Sequence, residues 1–111
     1  MQFNFLEAFV LTLLIETPIY IWFYKKRGQQ MMAIVSILMN AITLPFVWFI
    51  FYPALADYAT FFVSSELYVL GAEAVLLGEL FKKEGWKRAI AASMFANAMS
   101  AGAGLLLTFA L

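Results

Sequence analysis

ETPIYIWFYKKRGQQMMAIVSILMNAIT (residues 16–43) and EAVLLGELFKKEGWKRAIAASMFANAMS (residues 73–100) align in register at an offset of 57. Glu16 falls on Glu73, Lys25-Lys26 on Lys82-Lys83 and Gly28 on Gly85. Ser36 falls on Ser93, Asn40-Ala41 on Asn97-Ala98 and Thr43 on Ser100. Apolar matches are cheap in such a composition, but Glu and Asn are rare inside long apolar runs. Their joint recurrence around a basic turn points to a duplicated helical hairpin.

Working outward, apolar windows long enough to span a bilayer fall at about 4–24, 31–52, 59–81 and 88–110. The breaks are Lys25 to Gln30, Tyr52-Pro53 through Asp57, and Lys82 to Arg88. Such short connections make neighbouring helices antiparallel. The expected fold is all-α: an integral membrane four-helix bundle made of two tandem helical hairpins. It forms a single domain, 1–111, with repeat 1 at about 1–56 and repeat 2 at about 57–111. Each repeat crosses twice, so the copies are parallel and equivalent residues share a depth. That differs from the inverted repeats of many transporters.

Composition agrees. The chain is 65% hydrophobic and 13% charged, too little polar surface to cover a water-soluble core. All seven basic residues lie in the first and third connections. The positive-inside rule then places both loops in the cytoplasm and both termini outside, in a plasma or inner membrane. Residues 1–5 carry no basic n-region, so the first helix is expected to serve as an uncleaved entry signal. Trp22, Tyr24 and Trp86 on one side, with Trp48, Tyr52 and Tyr58 on the other, are expected as interfacial belts. Glu79 and Lys83, four apart, are expected to pair.

Depth decides the candidate site. Glu16 and Glu73 each precede a Lys by nine residues, which puts both carboxyls about 13 Å above the basic turns at 1.5 Å per residue. Asn40 and Asn97 follow Gln30 and Lys87 by ten, about 15 Å in by the same rise. Ser36, Asn40 and Thr43 line one helical face, as do Ser93, Asn97 and Ser100. The expected site is a midplane ring of Glu16, Asn40, Thr43, Glu73, Asn97 and Ser100. Glu66, Ser36 and Ser93 are secondary members.

No Lys or Arg occupies that depth, and an ionised Glu at a helix centre is costly. Protonation, a bound cation or a hydrated cavity each removes the cost. If the two carboxyls approach, they titrate as a coupled pair. Pro18 and Pro45 free the carbonyls of Leu14 and Ala41, which are suitable ligands for a hard cation. Ala92, Ala96, Ser100 and Gly104 form a small-residue ridge for close packing, within the chain or against a second copy.

The chain has no Cys and no His, which removes Cys-His and Ser-His-Asp catalysis and the usual zinc sites. Asp57 is the sole Asp, so a two-Asp intramembrane protease is excluded. An intramembrane enzyme using paired Glu is the least favoured class. Gly28 and Gly85 are isolated, so no phosphate-binding loop exists, and nothing points to nucleic acid.

The leading expectation is a small transporter or channel whose Glu/Asn layer binds a cation or proton, with no other cofactor. Four helices leave little room for a wide internal path, so a homo-oligomer is a plausible form, with the oligomeric state open. The rival is a non-transporting assembly or accessory subunit in which the same layer is interhelical glue. Four helices and a Glu within the first are also features of the small multidrug resistance transporters. The second Glu, the Asn layer and the tandem repeat are not that family's pattern, and no membership follows.

Overall fold

The computed structural model describes residues 5–51, 54 and 57–110. Their chain is helical, in the order α1 (Phe5–Phe23), α2 (Gln29–Phe46), α3 (Tyr58–Leu80) and α4 (Trp86–Ala110). Helix is the form these segments take because it satisfies every backbone N–H and C=O within one apolar run. The four helices are each long and apolar enough to cross a membrane. The bundle measures 41 × 24 × 19 Å, and its long dimension exceeds a hydrocarbon core of about 30 Å. Tyr52 and Pro53 of the middle connection lie outside the described residues.

Pro18 sits within α1, and Pro45 near the end of α2. Past Pro45 the chain continues as a π-helical turn, Val47–Phe51, an adjustment that follows the missing proline N–H. At the start of α3, Asp57 accepts from the Thr60 N–H and hydroxyl at 2.9 Å each, so the helix is capped.

The turns between α1 and α2 and between α3 and α4 are built alike. Each is a short 3-10 turn, Lys25–Arg27 and Lys82–Glu84, closed by a glycine. Gly28 and Gly85 have φ of 92° and 90°, a region where a Cβ is strained. That accounts for glycine at both positions. Between the turns, Tyr24 stacks on Phe81 with ring centroids 5.0 Å apart. The Arg27 guanidinium lies over the Phe81 ring at 4.7 Å and makes two 2.7 Å bonds to the Glu84 carboxylate.

Inside and outside are inverted relative to a protein in water. Leu6, Leu14, Leu38, Phe49, Leu67 and Leu106 are exposed, whereas Glu16, Ser36, Asn40, Thr43, Glu73 and Ser93 are fully buried. The apolar core consists of Tyr20, Tyr24, Met32, Val35 and Met39 from the first half, with Leu77, Phe81, Ala89, Ala92 and Ala96 from the second. Bulky residues of the first half therefore face alanines of the second. Accordingly α4 packs closely on both α1 and α3, while α2 and α3 make the loosest neighbouring pair. The small-residue ridge is thus used within the chain, at Ala92 and Ala96.

Three local expectations are corrected. Tyr24 is 1% exposed and belongs to the core, not to an interfacial belt. Its ring is covered by Phe81, in the turn of the second hairpin. Glu79 pairs with Lys82 at 3.4 Å, both side chains exposed, because the chain leaves α-geometry at Phe81 and the four-residue spacing to Lys83 no longer aligns them. Leu14, Pro18 and Ala41 lie on the exposed side of their helices, so the proline-freed carbonyls sit on outer rows, away from Glu16 and Asn40.

Gly78 is the one described glycine against which a side chain is tightly laid: a Cβ there would enter the Trp86 ring, whereas one at Gly71 meets nothing. Gly78→Ala is expected to destabilise the protein by about 1–3 kcal/mol through overpacking, even though alanine is the better helix former. Gly71→Ala should be neutral or stabilising. Thermal unfolding in detergent micelles compares the two directly.

Candidate functional site

The polar layer is assembled from all four helices. α1 contributes Glu16 and Tyr20, α2 contributes Asn40 and Thr43, α3 contributes Glu73, and α4 contributes Asn97 and Ser100. Asn40 and Asn97 are held by their own helices: each amide donates to the carbonyl four residues back, Ser36 at 2.9 Å and Ser93 at 2.8 Å. This back-bonding leaves the second amide hydrogen pointing across the bundle.

Those second hydrogens reach the carboxylates. The Asn97 amide donates to Glu73 Oε1 at 3.1 Å, and the Asn40 amide lies at 3.5 Å from Glu16 Oε1. Each carboxylate also takes a hydroxyl from the opposite hairpin. Ser100 donates to Glu16 Oε2 at 2.6 Å, and Thr43 lies at 3.5 Å from Glu73 Oε2. Tyr20 adds a bond of 2.5 Å to Glu73 Oε1. Both Glu side chains are 0% exposed. The two carboxyls thus sit in adjacent sets of bonds, linked through Ser100, whose hydroxyl also lies 3.3 Å from the Asn97 carbonyl, and neither reaches the surface.

Of the residues expected at the site, Glu16, Asn40, Thr43, Glu73, Asn97 and Ser100 come together. Ser36 and Ser93 support them from one turn away. Ser36 accepts from Thr17 at 2.8 Å, and Ser93 donates to the Leu70 carbonyl at 2.7 Å. Glu66 is half-buried, two turns along α3 from Glu73, and among the described residues no hydrogen bond ties it to the layer. Tyr20 was missed by the sequence reading. Its signal was the four-residue spacing from Glu16, which puts the two on one face of α1.

Charge and hydrogen bonding do not balance inside the layer. Two carboxyls are enclosed, and the basic residues sit at the turns. Asn40 Oδ1 is buried with no hydrogen-bond partner among the described residues, an expensive state for an amide oxygen. It supplies a spare acceptor beside Glu16. Among the described residues no three His, Cys, Asp or Glu side chains converge, so a metal here would depend mainly on neutral oxygens.

At the basic end, the Tyr24–Phe81–Arg27–Glu84 stack closes the bundle. The Arg27 guanidinium holds the Glu84 carboxyl below its ordinary range. Glu84 is 13% exposed, covered by Arg27 more than by surrounding protein, so water and salt weaken the pair. In comparison with known proteins, no family, curated protein or solved structure matches this chain, and the functional reading rests on the site's own geometry.

Proposed function

We propose that this chain is a small membrane transporter or channel whose midplane layer binds a cation, with the proton as the best fit. One observation carries the reading: two fully buried carboxyls are each enclosed by hydroxyl and amide donors of one layer, while among the described residues no basic side chain reaches them and Asn40 Oδ1 has no donor. A proton on a carboxyl removes the charge and supplies a donor. It needs no coordination shell, which suits oxygens already engaged at 2.5–3.1 Å. A small cation ligated by Glu16, Asn40, Thr43, Glu73, Asn97 and Ser100 requires the hydroxyls to turn away from the carboxylates.

The tandem origin is part of the proposal. The bonds Glu16–Ser100 and Glu73–Thr43 exchange under the offset of 57, as do Glu16–Asn40 and Glu73–Asn97. Arg27 and Glu84 are themselves 57 apart. These pairings support a pseudo-two-fold axis along the membrane normal. Rocking one hairpin against the other about that axis changes which side reaches the layer, and the loose α2–α3 contact is where movement costs least. Several copies assembling in the membrane remain part of this reading.

The second reading, an accessory subunit with the layer as glue, is favoured by the direct side-chain bonds themselves. Reconstituted flux separates the two. Vesicles holding the protein should collapse an imposed pH gradient faster than empty vesicles. Equal rates for protons and for small monovalent and divalent cations would leave only the glue.

Orientation has its own test. The positive-inside rule puts the Lys25–Arg27 and Lys82–Glu84 turns in the cytoplasm. The chain has no native Cys, so Gln29→Cys and Ala59→Cys each offer one thiol. In intact cells an impermeant maleimide is expected to label position 59 and spare position 29. The reverse pattern contradicts the orientation.

A further inference from the structure

Four of the seven basic residues gather around one concavity at the turn end of the α1–α4 seam. Lys25, Lys26, Lys87 and Arg88 line an open hollow of about 640 Å³, with Trp22 on its wall. Among the described residues the acid that lines it is Glu84, and both of its oxygens bond Arg27. Arg88 also acts on the Glu84 carboxyl, which leaves Lys25, Lys26 and Lys87 facing the hollow with no acid of its described lining bonded to them. Arg88 is steered there by donating to the Phe23 carbonyl at 3.3 Å, and the Lys25 ammonium stands over the Trp22 ring at 5.4 Å.

The corresponding place at the α2–α3 seam is not equivalent. At an offset of 57, Lys87 and Arg88 fall on Gln30 and Met31, and Trp22 falls on Glu79. There, Lys82 is engaged by Glu79. One end of one seam thus concentrates positive charge, although the backbones of the two turns match.

We infer that this hollow is a binding site for the phosphate headgroup of an anionic membrane lipid. Phosphate is the anion that clustered Lys and Arg recognise at helix-end depth, next to an interfacial Trp. A lipid, not a free anion, fits the surface beneath the cations. Trp22 and Phe95 are 62% and 53% exposed, and Phe23 between them contacts both rings, at 5.0 and 6.2 Å. An acyl chain descending from the headgroup meets this aromatic strip. The site is separate from the Glu layer and does not depend on transport.

The test uses delipidated protein in neutral detergent, titrated with phosphatidylglycerol and followed by native mass spectrometry. Detergent removes any dependence on insertion direction. Wild type should bind one phosphatidylglycerol in preference to phosphatidylcholine. Lys25→Gln/Lys26→Gln/Lys87→Gln should weaken binding by about a hundredfold, at roughly fivefold per basic residue, while Lys83→Gln leaves it unchanged. Quenching of Trp22 by brominated phosphatidylglycerol, lost in Trp22→Phe, locates the lipid even if the triple variant folds poorly. Equal binding of phosphatidylcholine, equal loss in Lys83→Gln, or displacement by millimolar inorganic phosphate overturns the assignment.

Discussion

Glu16→Gln and Glu73→Gln each reduce pH-gradient-driven flux in reconstituted vesicles by about a hundredfold or more, the scale on which a positioned proton-transfer group acts. Glutamine keeps the shape and one acceptor oxygen but cannot take up or release the proton. Both variants should stay folded. Glu16 receives Ser100 on one oxygen and Asn40 on the other, the latter at 3.5 Å. Glu73 receives Tyr20 and Asn97 on Oε1 and Thr43 on Oε2. A Gln at position 73 keeps its oxygen on Tyr20 and Asn97 and turns its NH₂ to the Thr43 hydroxyl oxygen, whose own hydrogen goes to the Met39 carbonyl at 3.0 Å. A Gln at position 16 turns its NH₂ to the Ser100 hydroxyl oxygen in the same way, so both variants should unfold near the wild-type temperature. Wild-type flux in both folded variants would remove these carboxyls from the transport reading.

Asn97→Leu carries the largest expected stability change within the layer. Asn97 is 4% exposed, and its amide holds Glu73 at 3.1 Å. A leucine leaves that carboxyl short of a donor and adds a branched chain where α3 and α4 pack closely. The loss of the buried bond costs about 1–3 kcal/mol, and misfit adds to it. Thr43→Val should cost less, about 0.6 kcal/mol, typical of an interhelical bond in a membrane bundle, since its contact to Glu73 is 3.5 Å. Unfolding curves in mixed micelles give both values. A smaller effect for Asn97→Leu than for Thr43→Val would mean that the network contributes little to holding the bundle.

Much of this arrangement was legible in the sequence because the membrane makes polar residues informative. Glu16, Asn40, Glu73 and Asn97 stand out within apolar runs, and the spacing from each to its basic turn gives its depth. Helical periodicity put Thr43 and Ser100 on the same faces. What the pattern lacks is the rotation of each helix against its neighbours. Tyr20 reads as one more aromatic until α3 is seen to bring Glu73 to its hydroxyl. Tyr24 reads as a belt residue because nothing local announces Phe81 as its partner. The proline carbonyls were assigned by closeness in sequence to Glu16 and Asn40, whereas a step of one or two residues turns them onto the outer face. Chain departures from α-geometry, as at Phe81, likewise reset the pairing of Glu79.

The account depends on protons exchanging with the Glu16 and Glu73 carboxyls while both remain enclosed. Infrared difference spectroscopy of the reconstituted protein, recorded across a pH jump, reads the carbonyl stretch of a protonated carboxyl directly. The predicted result is a pH-responsive band that weakens in either single variant and vanishes in Glu16→Gln/Glu73→Gln. A spectrum in that region unaffected by pH, or identical in the double variant, would contradict it.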